Sequence, residues 1–238
     1  MIVKLPMLRF TVQGVINMGR ITFDIPNPTG QWTTRKMTFQ ILSFIILVSI
    51  TGLMAGLYFV PQFLEQPSHI VLEREGKFEI RQYESILLSS VKIIGDQYSA
   101  LRNGFKPLAG YIGAKEREGI KISMTAPVIQ SSGNVENEWV VSFSMPSKYN
   151  KVSLPEPKND QVYTEEMMQT TAAVLRFSGN ANQQLLDKKT ALLLKWVETS
   201  GYKISSKPKY LFYNPPATPG FLKRNEVMLV VNSEKTDD

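Results

Sequence analysis

One histidine and no cysteine set firm limits on the chemistry open to this 238-residue chain. Without thiols there are no disulfides, no thiolate metal sites and no cysteine nucleophile. With His69 as the sole imidazole, neither a His-rich zinc site nor a two-histidine catalytic arrangement can be assembled within one chain. A Ser-His-Asp triad would need His69 itself, which stands just after a proline linker and outside any recognisable motif. The acidic pair Glu165–Glu166 suggests a hydrolase, but neighbours on a strand point to opposite faces and cannot easily act together. Enzymatic chemistry is therefore not expected. Two features are left to explain. One is an apolar stripe, Tyr98, Leu101, Phe105, Leu108 and Ile112, with Arg102 beside it. The other is the stretch "YNPPATPGFLKRNEVMLV" (213–230), where Pro215, Pro216 and Pro219 stiffen a loop that runs through Gly220 ahead of a strand-like run.

The stripe recurs at steps of three and four, which predicts a helix beginning at an Asp96 N-cap and containing Pro107. That helix belongs to an internal repeat. The strand-like "SILLSSVKI" (85–93) and its N-cap Asp96 are followed, 86 residues later, by "TAAVLRFS" (171–178) and Asn182. "ISMTAPV" at 122 and "YLFYNPP" at 210 lie 88 apart, and "WVVSFSMP" at 139 and "EVMLVV" at 226 lie 87 apart. Four elements at a nearly constant offset make a strand–helix–strand–strand unit present twice. The second helix carries Leu186, Leu193 and Val197 on one face, with Gly201 placed as its C′ residue. Two such units close economically as an α+β fold: a distorted antiparallel β-barrel, two flanking helices and a pseudo-two-fold axis. A Pro-rich polar segment, 145–160, connects the copies, and the proline loops at Pro127 and Pro215–Pro216 are expected at equivalent positions.

The net charge of +6 is unevenly spread. Residues 1–37 carry Lys4, Arg9, Arg20, Arg35 and Lys36 against Asp24 alone, so the remainder is close to neutral and gives no electrostatic reason for nucleic-acid binding. Thr38 to Val60 is 23 residues without a charge, long enough for a bilayer core. A cleaved signal peptide or a buried helix are the other readings; no small-x-small pair closes the segment, and soluble core helices are rarely so long and uncharged. Arg35 and Lys36 precede the span and Glu65, Glu73 and Glu75 follow it, which predicts a cytoplasmic N-terminus and an extracytoplasmic domain. The expected organisation is a tail at 1–37, a single-pass helix at 38–60, a linker at 61–68 and a domain at 69–238.

"FEIRQYES" (78–85), "ALRNGFKPLAGYIGA" (100–114), "ISMTAPV" (122–128), "VSFSMPSKY" (141–149), "LRFSG" (175–179) and "YNPP…KRNEVML" together resemble the SOUL family of haem-binding proteins, collinearly over nearly all of 69–234. The resemblance implies a distorted β-barrel with two helices, and reversible binding of haem or a related tetrapyrrole in a shallow apolar groove beside the first helix. On that reading Leu101, Phe105, Leu108 and Ile112 supply the apolar face, and Arg102 meets a propionate with paired N–H donors. Gly104, Ala109 and Gly110 let the disc approach the backbone. The stripe can equally be the helix's core face. Some members use a histidine and others none; here no histidine lies in or near the helix, and Ala109 and Gly110 stand where some relatives carry Lys and Met. Met124, Met145 and His69 are the soft or imidazole groups at hand, and the axial ligand stays open. The expected role is a membrane-anchored carrier or buffer; the alternative is an interaction domain that keeps the fold without the ligand.

Overall fold

The computed structural model describes residues 34–59, 63–115 and 118–232. A helix, α1, spans Thr34–Phe59. Its side chains from Ile41 to Leu53 include a run of exposed apolar groups, among them Phe44, Leu47 and Leu53. Among the described residues no helix is long and apolar enough to cross a membrane. The span expected at 38–60 lies only partly within them, since the side chains of 38, 39 and 57–60 fall outside. The crossing is therefore not shown.

The folded domain is α+β. Its strands are β1 (His69–Glu75), β2 (Phe78–Tyr83), β3 (Ile86–Ile94), β4 (Val128–Ser132), β5 (Glu138–Ser144), β6 (Tyr163–Met167), β7 (Thr170–Phe177), β8 (Lys209–Phe212) and β9 (Asn225–Val230). Helix α2 (Gln97–Ile112) follows β3, and α3 (Gln183–Ser200) follows β7. Among the described residues the strands form one nine-stranded antiparallel sheet in the order β1-β2-β7-β9-β8-β4-β5-β3-β6. The expected distorted barrel is present in its open form, a curled half-barrel sheet: β1 and β6 are its two ends, and no ladder joins them among those residues.

The order is a palindrome about the β8·β4 pair. On one side stand β9, β7 and β2; on the other β5, β3 and β6. Each copy of the repeat thus has a further strand at its start, and the copies exchange it. β2 of the first pairs with β7 of the second, and β6 of the second pairs with β3 of the first. Exchange ties the halves into one sheet, so neither copy's edge is left for the other to find.

Local chemistry sets the helix bounds. The Asp96 carboxylate accepts from Ser99 N–H at 3.0 Å and the Asn182 amide oxygen accepts from Leu185 N–H at 2.9 Å, satisfying donors that a first turn leaves free. Gly201 ends α3 with φ 77°, the left-handed geometry that favours glycine. Helix α2 packs on β3 and β5 over Val91, Val141 and Phe143, and α3 packs on β7 and β9 over Ala173, Val227 and Leu229. Both helices cover the same, convex face. The other face carries a separate apolar cluster that includes Tyr83, Leu88, Val174, Leu211 and Met228.

Two sequence alignments of the repeat need adjusting. Val141 faces α2 as Val227 faces α3, an even offset, whereas an offset of 87 sets Trp139 against Glu226 on the opposite face. A one-residue slip inverts a strand's faces, so the last strand is displaced by one. The proline loops are also not equivalent: Pro127 immediately precedes β4, and Pro215–Pro216 follow β8.

Candidate functional site

The predicted α2 stripe divides in two. Leu108 is fully buried and Ile112 nearly so, both in the core beneath the helix with Tyr111. Leu101 and Ala109 are half-buried, and Arg102 is exposed. Tyr98 is 70 % exposed and Phe105 41 %. The cause is the close approach of the helix to the sheet at Gly104. A Cβ there would stand 2.8 Å from Val141 Cβ and 3.1 Å from Val91 Cγ2. Gly104 therefore faces the protein's own strands, not an incoming disc. Phe105 leans edge-on against the buried Phe143, ring centroids 5.2 Å apart, which holds the aromatic in place with one face outward. The result is a half-open apolar edge, Tyr98–Leu101–Phe105, with a guanidinium beside it.

Among the described residues no His, Asp or Glu cluster that could hold a metal serves that edge. Met145 is core, its sulfur accepting from Ser89 Oγ at 3.8 Å, and Met124 packs against the same cluster. His69 lies across the sheet, beside Tyr83 with ring centroids 5.1 Å apart. Leu87 and Val91 point to α2 while Leu88 joins the other cluster, so the imidazole and the helix are on opposite faces. Burial, then the Arg81 charge, lower the His69 pKa. Among the described residues no group of His, Asp and Glu could hold a metal ion.

The opposite face has a polar centre that sequence reasoning missed. Glu226 is fully buried; its Oε2 accepts from Arg81 Nη1 at 2.9 Å and Tyr213 Oη at 2.8 Å. Its Oε1 accepts from Arg81 Nη2 at 3.2 Å and from Arg224 Nη2 at 2.8 Å and Nε at 3.1 Å. Burial alone would raise this carboxyl's pKa, but the two guanidinium groups outweigh it and hold it below the usual range. Burial pushes the Tyr83 hydroxyl up to about 12, against the pull of Arg81. The stiff loop now has its purpose. It places Arg224 over the Tyr213 ring, 3.7 Å from the centroid, and onto Glu226, while Lys223 donates to Asn180 Oδ1 at 3.1 Å. Only the Arg and Glu at the end of "KRNE" hinted at this, because the partner Arg81 is 145 residues away.

The acidic pair is split as expected. Glu165 accepts from Ser90 Oγ at 2.7 Å, while Glu166 accepts from Ser85 and pairs with Lys151.

These features define a class: a pseudo-symmetric α+β module, two helices on one face of a curled sheet and an ion-pair centre on the other. The SOUL heme-binding protein family matches residues 64–230, and the chain belongs to that family. Among curated relatives, mouse heme-binding protein 2 is 29 % identical over 73 % of this chain and 89 % of its own length. Human heme-binding protein 2 is 30 % identical over 68 % and 82 %, and Xenopus tropicalis heme-binding protein 1 is 28 % identical over 68 % and 87 %. Of solved structures, the C-terminal domain of EcmrR superposes with a TM-score of 0.51 at 15 % identity, covering 67 % of this chain and 98 % of that one, which is a likeness of fold alone.

Proposed function

We propose that this protein is a membrane-anchored binder of haem or a related tetrapyrrole, acting as a carrier or buffer along the exposed edge of α2. Membership of the SOUL family, with relatives named for heme binding, supports the ligand class. The observation that carries the site is Phe105, an aromatic left 41 % exposed beside exposed Tyr98 and braced from below by Phe143. A flat apolar disc gains by covering such an edge, and the exposed Arg102 supplies the cation that a propionate would pair with. With the imidazole on the other face of the sheet, contact area and charge pairing hold the ring, so binding is reversible. Leu108 and Ile112 serve as the buried footing of the site. The 23 uncharged residues at 38–60, with basic residues before them, support the anchor and an extracytoplasmic domain.

The test is haem titration of the full chain in lipid nanodiscs, followed at the Soret band. The expected outcome is a saturable shift that Phe105→Asp weakens by at least about tenfold, since a covered aromatic face contributes roughly 1.5–3 kcal/mol. Arg102→Glu weakens it less. No saturable shift, or one indifferent to Phe105→Asp, would leave the alternative of an interaction domain that has kept the fold without the ligand.

A further inference from the structure

Residues 63–68 sit where a tether to the anchor is expected, yet they are laid against the domain. Leu64 packs into the apolar cluster on the concave face. Glu65 forms a parallel bridge with Thr125, its carbonyl accepts from Ala126 N–H at 2.9 Å and its carboxylate from Ser147 N–H at 2.6 Å. Gln66 Oε1 accepts from Arg224 Nη1 at 3.1 Å. Pro67 and His69 then roof a hollow whose floor includes Tyr83, Ile86, Ile129, Leu211 and Met228. The hollow that remains is only about 10 Å³, no more than one water molecule needs. The strap fills the place.

Two properties of the covered face point to its guest. First, a chain of ion pairs runs across it from Arg74 through Glu79, Arg81 and Glu226 to Arg224, so the chain ends on a guanidinium at both sides and holds one cation more than it has carboxylates. Second, Arg81 spends its donors on Glu79, Tyr83 and Glu226, but Arg224 turns Nη1 away from Glu226 toward the strap. A neutral amide oxygen occupies the position where a carboxylate oxygen would satisfy the surplus charge.

We propose that the concave face is a second binding site, for a small amphipathic carboxylate, with residues 64–69 as its removable cover. The carboxylate takes the place of the Gln66 amide on Arg224, and the apolar body takes the place of Leu64 and Pro67 over Ile86, Ile129, Leu211 and Met228. Cover and guest compete for the same contacts, so apparent affinity is set by how often the strap is open. Nothing in this site depends on α2, which lies across the sheet.

The experiment uses the full chain in lipid nanodiscs and calorimetric titration with 2-naphthoate, empty discs serving as blank. The chain has no cysteine, so Glu65→Cys/Thr125→Cys places a unique pair at the bridge that holds the strap. The oxidised form is expected to lose naphthoate binding, and reduction of the same sample to restore it. Leu64→Ala/Gln66→Ala is expected to bind about tenfold more tightly than the unaltered chain. The matched cation, 2-naphthylmethylammonium, is expected not to bind. Phe105→Asp is expected to change nothing. Equal binding in oxidised and reduced forms, no heat in the loosened variant, or equal binding of the cation each overturns the proposal. Loss of binding in Phe105→Asp does the same by placing the acid at α2.

Discussion

Glu226 accepts five hydrogen bonds without any solvent exposure, two from Arg81, two from Arg224 and one from Tyr213. A carboxylate so enclosed is kept charged by its partners, and they are kept buried by it. Glu226→Gln preserves the shape but takes the counter-charge from Arg224 and leaves Arg81 with Glu79 alone; the expected cost is about 3–5 kcal/mol, read as a lower urea midpoint. The pH dependence has a fixed sign. The folded-state pKa of this carboxyl is depressed, so its contribution is present above the unfolded value of about 4.3 and is lost as pH falls through the folded one. The unaltered protein should therefore lose stability steeply below about pH 4, and the slope of Glu226→Gln should be shallower there. Equal slopes would show that the carboxyl titrates alike in both states.

At the scale of elements, Gly104 decides how near α2 comes to β3 and β5. An added methyl would press on Val141 at 2.8 Å, and backbone-proximal atoms on a strand cannot swing aside. Gly104→Ala should destabilise by about 1–3 kcal/mol from overpacking, less up to about 1 kcal/mol gained in helix propensity, seen as a lower Tm. A higher Tm would mean that the helix can lift without cost. The elements are also where sequence reasoning succeeds and stops. Asp96, Asn182 and Gly201 are legible because capping is local: the residue that ends a helix lies within a few positions of what it satisfies. The two strand–helix–strand–strand copies are legible because burial imprints a period on each. The exchanged strands are not. β6, "YTEEM", is a short end strand with weak alternation, and nothing in it records that its partner is β3. Likewise the spacing of Leu101, Phe105 and Leu108 gives one stripe but not which part of it the sheet covers. The Arg81–Glu226 pair spans 145 residues and leaves no local trace.

For the whole molecule, the proposed tail, span and domain would place different parts of one chain in different solvents. Residues 38–60 carry no charge, and the described part of α1 holds exposed apolar side chains such as Phe44, Ile45 and Leu47. Water solvates such a surface poorly, whereas a bilayer core about 30 Å thick accommodates it. The full chain should float with liposomes in a density gradient, and residues 63–238 should stay at the bottom. Beginning the shorter chain at 63 matters, since a start at 69 would also remove Leu64, Glu65 and Gln66 from the concave face and confuse loss of the anchor with loss of the strap. Orientation is separable. With Arg35 and Lys36 before the span, a tag at the N-terminus should resist protease added outside intact cells while the domain does not. If the tag were cut and the domain spared, the anchor would stand but the ligand would be met on the cytoplasmic side. Flotation of residues 63–238 as readily as the full chain would instead put the membrane contact on the domain itself and leave 38–60 without that role.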